Sequence, residues 1–119
     1  MGISKISSLS FPKSARILKN AHYRHVVNFG HKRVGRFLMV HYQWQGRGGG
    51  PRIGITVSRK FGNAVERNLF KRRVREVFRH IRRNLPSDLR CVVKPRPMAT
   101  KVAFSDIKTE LTYLLRETV

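Results

Sequence analysis

The chain has 119 residues, 40% of them hydrophobic, enough for one core and too short for two ordinary domains. Lys and Arg number 26 against six Asp and Glu, a formal charge of +20, and that charge on one small domain calls for a polyanionic partner, nucleic acid first. No apolar run approaches the roughly 20 residues of a membrane span, no signal-like segment precedes Phe11, and a lone Cys91 excludes an internal disulfide, so the sequence reads as a cytoplasmic protein with no membrane contact.

The whole chain, 1–119, is expected to form a single RNA-binding domain. Met1 to Lys19 is basic and serine-rich and is expected to be an extended arm. Asn20 can cap a helix from Ala21 to Phe29 that carries Tyr23, Val26 and Val27 on one face, and Gly30 is expected to end it in a left-handed conformation. Arg36 to Gln45 alternates as a strand, with Phe37, Met39 and His41 facing one way and Leu38, Val40, Tyr42 and Trp44 the other. The glycine run from Gly46 to Pro51 is expected to make a hairpin to a return strand, where Ile53, Ile55 and Val57 alternate with Gly54, Thr56 and Ser58.

From Gly62 to Leu85 the pattern becomes helical. Phe70, Val74, Val77, Phe78, Ile81 and Leu85 recur at steps of three and four, which puts them on one face. Asn63 and Glu66 have the spacing of a capping box, so the helix starts near Ala64. Ten Lys or Arg lie between Arg59 and Arg83 against two acids, and most project from the side away from the apolar stripe. A solvated helix face mixes signs; this one does not, and Arg in particular suits phosphate. Pro86-Ser87-Asp88 is turn chemistry, Leu89 to Lys94 is a short apolar strand, and Ser105 can cap a closing helix carrying Ile107, Leu111, Leu114 and Leu115. The order is αβββαβα, with the basic helix as a crossover between strands.

Catalytic groups are scarce. His22 and His25 lack a third ligand for a metal site, Glu66 is used in capping and Glu76 pairs with helical Arg neighbours, and no serine sits in a nucleophile motif. No catalytic residue and no metal ligand is expected from the protein.

Gly62-Asn63-Ala64-Val65, Arg67-Asn68, Lys71-Arg72 and Arg75, preceded by Gly54-Ile55-Thr56-Val57-Ser58-Arg59-Lys60, resemble the signature of the bacterial ribonuclease P protein subunit. Phe11-Pro12, Tyr23, the Phe37-Leu38-Met39-Val40 strand, Cys91-Val92-Val93-Lys94-Pro95 and Leu114-Leu115-Arg116 follow the same family in order, over residues from about 9 to 117. The resemblance implies an α/β two-layer sandwich with a left-handed βαβ crossover. It also implies a subunit that assists a catalytic RNA in removing the 5′ leader of precursor tRNA, so that the endoribonuclease chemistry belongs to Mg2+ held by that RNA. The implied partners are the ribonuclease P RNA and the precursor tRNA leader, with no obligate protein partner. By the same resemblance Arg67, Asn68, Lys71, Arg72, Arg75 and Arg79 contact the catalytic RNA, and Tyr23, Val27, Val40, Tyr42, Thr56, Ser58 and Lys60 line a leader groove between the first helix and the sheet. Leu69 stands where the family has an Arg. The alternatives are a ribosomal or other structured-RNA-binding protein, and a nuclease acting without RNA.

Overall fold

The apolar stripe and the capping box between Asn63 and Leu85 build the central element of the structure. In the computed structural model, which describes residues 15–17, 20–46, 48–97, 99 and 102–116, the chain runs α1 (Asn20–Phe29), β1 (His31–Val34), β2 (Leu38–Trp44), β3 (Arg52–Ile55), α2 (Ala64–Ile81), β4 (Leu89–Pro95) and α3 (Phe104–Arg116). Single 3-10 turns at Arg59–Phe61 and Arg82–Asn84 flank α2. Asn63 Oδ1 accepts from the Glu66 backbone N–H and Glu66 Oε1 accepts from that of Asn63, each at 2.9 Å. These two bonds satisfy donors that the first helical turn would otherwise leave unpaired, a contribution of about 1 kcal/mol. Phe70, Val74, Val77 and Phe78 are buried, and Ile81 packs half-buried against the same cluster.

The sheet order is β1-β2-β4-β3; β2 is antiparallel to β1 and β4, and β3 is parallel to β4. One sheet face carries Leu38, Val40, Ile53, Leu89, Cys91 and Val93 into a single cluster with the α2 stripe and with Ile107, Leu111, Leu114 and Leu115 of α3. Across the other face lies α1, whose Val26 is fully buried and whose Tyr23 ring covers Gly54 so closely that a Cβ there would sit 2.8 Å from Cε2. The expected α/β sandwich is present, with its main core between the sheet and the α2–α3 layer.

Two local expectations are corrected. The hairpin between β2 and β3 does not form, because β4 lies between them and the glycine run instead crosses the end of β4. Gly46, Gly49 and Gly50 take φ values of 70°, 96° and 90°, a region that glycine enters without strain. Asp88 steadies the loop through its carbonyl, which accepts from Gln45 N, and through Oδ2, which accepts from Gly46 N. Gly30 does not turn left-handed; it is needed for space, since a Cβ would lie 2.5 Å from the Val26 carbonyl oxygen and 2.6 Å from that of Tyr42. Strand β1 follows Gly30 directly and had no signal of its own. Of the expected arm, only Ala15–Ile17 falls within the described residues, and Ile17 N donates to the Ile53 carbonyl at the free edge of β3.

Cys91 is completely buried and its thiol donates to the Arg52 carbonyl. Burial pushes its pKa well above the ordinary thiol range, with the nearby Arg90 charge opposing. Native protein at mildly alkaline pH is therefore expected to resist iodoacetamide and to react only as it unfolds. Fast labelling of the folded chain would mean that β4 opens.

Candidate nucleic-acid interface

With Phe70, Val74, Val77 and Phe78 turned into the core, a 100° step per residue fixes what faces outward on α2. Arg67, Asn68, Lys71, Arg72, Arg75 and Arg79 fall within an arc of about 140° that starts at the edge of the stripe, where Arg67 points between Val74 and Phe78, and runs round to the far side of the helix at Arg72. Asn68 and Arg72 are exposed and the other four are half-buried. Arg67 Nη1 donates to the Gly62 carbonyl at 2.7 Å, which fixes the guanidinium beside the helix start. Arg75 has its pKa lowered by burial and then by the neighbouring charge of Arg16, so two cations meet on this flank. Arg79 donates to Glu76, which also contacts His80. Burial alone would raise the Glu76 carboxyl, but the hydrogen bonds from Arg79 and His80 outweigh it and hold the group below the usual carboxylate range. On the opposite flank Arg73 donates to the Val102 carbonyl and so belongs to the α3 contact.

Leu69 sits at the rim of this surface, 36% exposed, as its direction on the helix requires. Leu69→Arg is expected to change stability by less than about 0.5 kcal/mol, as surface substitutions do. It should steepen the salt dependence of RNA affinity by about one unit, read from a salt titration beside the wild type. A loss of several kcal/mol in urea unfolding would mean instead that Leu69 packs.

The second set of expected residues divides. Tyr23 and Val27 lie half-buried on one flank of α1, and Thr56 continues the outward parity of Gly54 toward exposed Ser58 and Lys60. Val40 and Tyr42 do not join them. Both point to the opposite sheet face, where Val40 is wholly buried in the main core and Tyr42 packs against it. A strand shows alternate residues to opposite faces, so the β2 residues on the α1 side are Met39, His41 and Gln43. Register then brings Lys32 and Val92 opposite His41 and sets Lys94 opposite Met39. His41 is 8% exposed, its Nε2 is buried without a partner, and its pKa is lowered by burial and then by Lys94 and Lys32. The sequence reading missed His41, Lys32 and Lys94, although the β2 alternation had placed His41 opposite in direction to Val40. Tyr23 is less available than its aromatic character suggested: its hydroxyl is buried without a partner, and burial pushes its pKa up to about 12.

Among the described residues no three His, Cys, Asp or Glu side chains come together as ligands for a metal. Nor is any described helix long and apolar enough to cross a membrane.

A family model described as Ribonuclease P matches residues 11–119. The ribonuclease P protein component of Chlamydia pneumoniae is 40% identical over 99 residues, 83% of this chain and 70% of that protein. That of Levilactobacillus brevis is 33% identical over 104 residues, 87% of this chain and 88% of that protein. Among solved structures, the ribonuclease P protein of Thermotoga maritima superposes with a TM-score of 0.78 at 30% identity, covering 86% of this chain and 96% of that one. A Staphylococcus aureus ribonuclease P protein mutant superposes with a TM-score of 0.82 at 28% identity, covering 98% and 94%.

Proposed function

The chain belongs to the ribonuclease P protein family, and we propose that it is the cytoplasmic protein subunit that binds the catalytic RNA of ribonuclease P and the single-stranded 5′ leader of precursor tRNA. The observation that carries this reading is the one-sided cationic arc of Arg67, Asn68, Lys71, Arg72, Arg75 and Arg79, held in place by a core stripe and a capping box. Guanidinium groups fixed on a rigid helix at one-turn spacing can meet successive phosphates without reordering, which keeps the entropic cost of docking low. The leader would run along the Tyr23 and Val27 flank of α1, past Thr56, Ser58 and Lys60, with His41 and Lys94 taking the places first expected of Val40 and Tyr42.

In this reading the protein contributes binding and positioning. The magnesium-dependent hydrolysis is assigned in this reading to the RNA.

Reconstitution with a bacterial ribonuclease P RNA at low Mg2+ tests the proposal. The protein should raise the rate of leader removal, and its affinity for precursor tRNA should fall as the leader is shortened. An affinity indifferent to the leader would point to a structured-RNA-binding protein of another kind, and leader removal by the protein without RNA would point to a nuclease in its own right.

A further inference from the structure

Past Arg79 the cationic side of α2 runs into an open recess of about 410 Å3 between the end of the helix and the last residues of the glycine loop. Arg79, Arg82 and Arg83 line it together with buried Pro51 and Leu85, and no Asp or Glu does so among the described residues. Four residues, about 6 Å along a helix, separate Arg75 from Arg79, and the recess takes up the row where the arc leaves off.

Hydrogen bonds fix its walls. Arg82 Nε donates to the Pro51 carbonyl at 3.1 Å and Arg90 Nη1 to the Gly50 carbonyl at 3.0 Å, so two guanidinium groups hold the end of the loop. Gly50, at φ 90°, leaves the room that Arg82 fills, since a Cβ there would lie 2.8 Å from Nη2. Leu85 N donates to the Arg82 carbonyl and closes the 3-10 turn that carries Arg82 and Arg83. A guanidinium held through Nε is already oriented, and its planar fork of donors suits phosphate oxygens.

Cations at the end of a helix also have an ordinary task, which is to offset the helix dipole. That task does not use up three of them. Glu76 pairs with Arg79 and His80, and Asp88 is turned to Gly46 N and acts on Arg90. The last helical turn carries about half a negative charge and Glu76 a whole one, so three guanidinium groups leave an excess of about 1.5 positive charges around the recess.

We propose that this recess takes a backbone phosphate of the catalytic RNA, with Arg82 and Arg83 as its ligands, and so carries the α2 interface about one turn beyond Arg79. The inference rests on the reading that the α2 arc docks on that RNA, and adds residues that the arc does not include.

Arg82 also holds the loop, so the test uses Arg83 and Ser87, which are both exposed and both line the recess. Salt titrations of binding to a bacterial ribonuclease P RNA compare the intact protein with its variants. Arg83→Ala should weaken affinity about fivefold and flatten the salt slope by about one unit. Ser87→Glu brings a carboxylate into the recess while keeping every arginine, and should weaken binding at least as much. Lys108→Ala removes one charge from an exposed position on α3 and should change neither quantity. Wild-type slopes for both recess variants, or an equal loss for Lys108→Ala, overturn the proposal, the second because total charge alone would then be at work. A loss confined to a parallel titration with precursor tRNA overturns it as well, since the phosphate would belong to the other RNA. Arg72→Ala keeps the two readings apart: if it weakens binding while Arg83→Ala and Ser87→Glu do not, the recess falls and the arc stands, and if none of the three has an effect, both fall.

Discussion

Glu110→Ala should cost about 3–4 kcal/mol of stability, a large share of the roughly 5–15 kcal/mol that holds a domain of this size together. Glu110 lies on α3, and its carboxylate reaches across to the β1–β2 turn. Oε1 accepts from Arg36 N at 2.6 Å, and Oε2 accepts from Phe37 N at 2.8 Å and Leu38 N at 2.6 Å. Each is a charge-assisted bond worth about 1.5–3 kcal/mol when its donor is shielded, and less where water can replace the acceptor, as at exposed Arg36. Gly35 completes the fit, because a Cβ there would lie 2.6 Å from Glu110 Cδ. Urea unfolding is the measurement: the midpoint should fall with the slope unchanged. Glu110→Gln should fall in between, since one oxygen remains while the amide turns its own donors toward a backbone N–H. A loss below about 1 kcal/mol for Glu110→Ala would mean that water satisfies this turn as well as the carboxylate does.

The same contact explains why β1 was hard to read. His31, Lys32 and Arg33 carry no alternation and little strand propensity; the segment pairs because β2 and Glu110 hold the turn, and neither cause is local. What the sequence did disclose was local. The Asn63–Glu66 box and the stripe from Phe70 to Phe78 are spacings within one element, and α2 formed where they placed it. The hairpin failed for the opposite reason: inserting β4 between β2 and β3 leaves the alternation of both strands unchanged, so no pattern within them could reveal it. In the groove, the family resemblance set Val40 and Tyr42 beside Tyr23, whereas the alternation read from the residues already put them on the face opposite His41. The periodicity was the better guide, because a one-residue change of parity exchanges the two faces of a strand. The parallel register that sets Arg52 of β3 beside Arg90 of β4 joins strands far apart in sequence, and nothing short of the fold brings them together.

Affinity for the catalytic RNA should fall about 500-fold between roughly 50 and 200 mM salt. The five cations of the arc on α2 can neutralise about five phosphates, and each contact releases close to 0.9 counterion from a duplex. The residues in the arc should not contribute equally. Arg72 is exposed and Arg75 half-buried, and Arg72→Ala or Arg75→Ala should each weaken binding by roughly 1–2 kcal/mol and flatten the salt slope by about one unit, with little change in thermal stability. Arg79 behaves differently because it neutralises Glu76. Arg79→Ala removes a cation and leaves a carboxylate facing the RNA, so its cost in affinity should exceed that of Arg72→Ala. Glu76→Gln tests the same logic from the other side: by freeing Arg79 and deleting the negative charge it should raise affinity and steepen the slope. Glu76→Gln with wild-type affinity and slope would place the RNA on the Arg67, Lys71 and Arg75 flank alone, and an affinity independent of salt would remove α2 from the interface altogether.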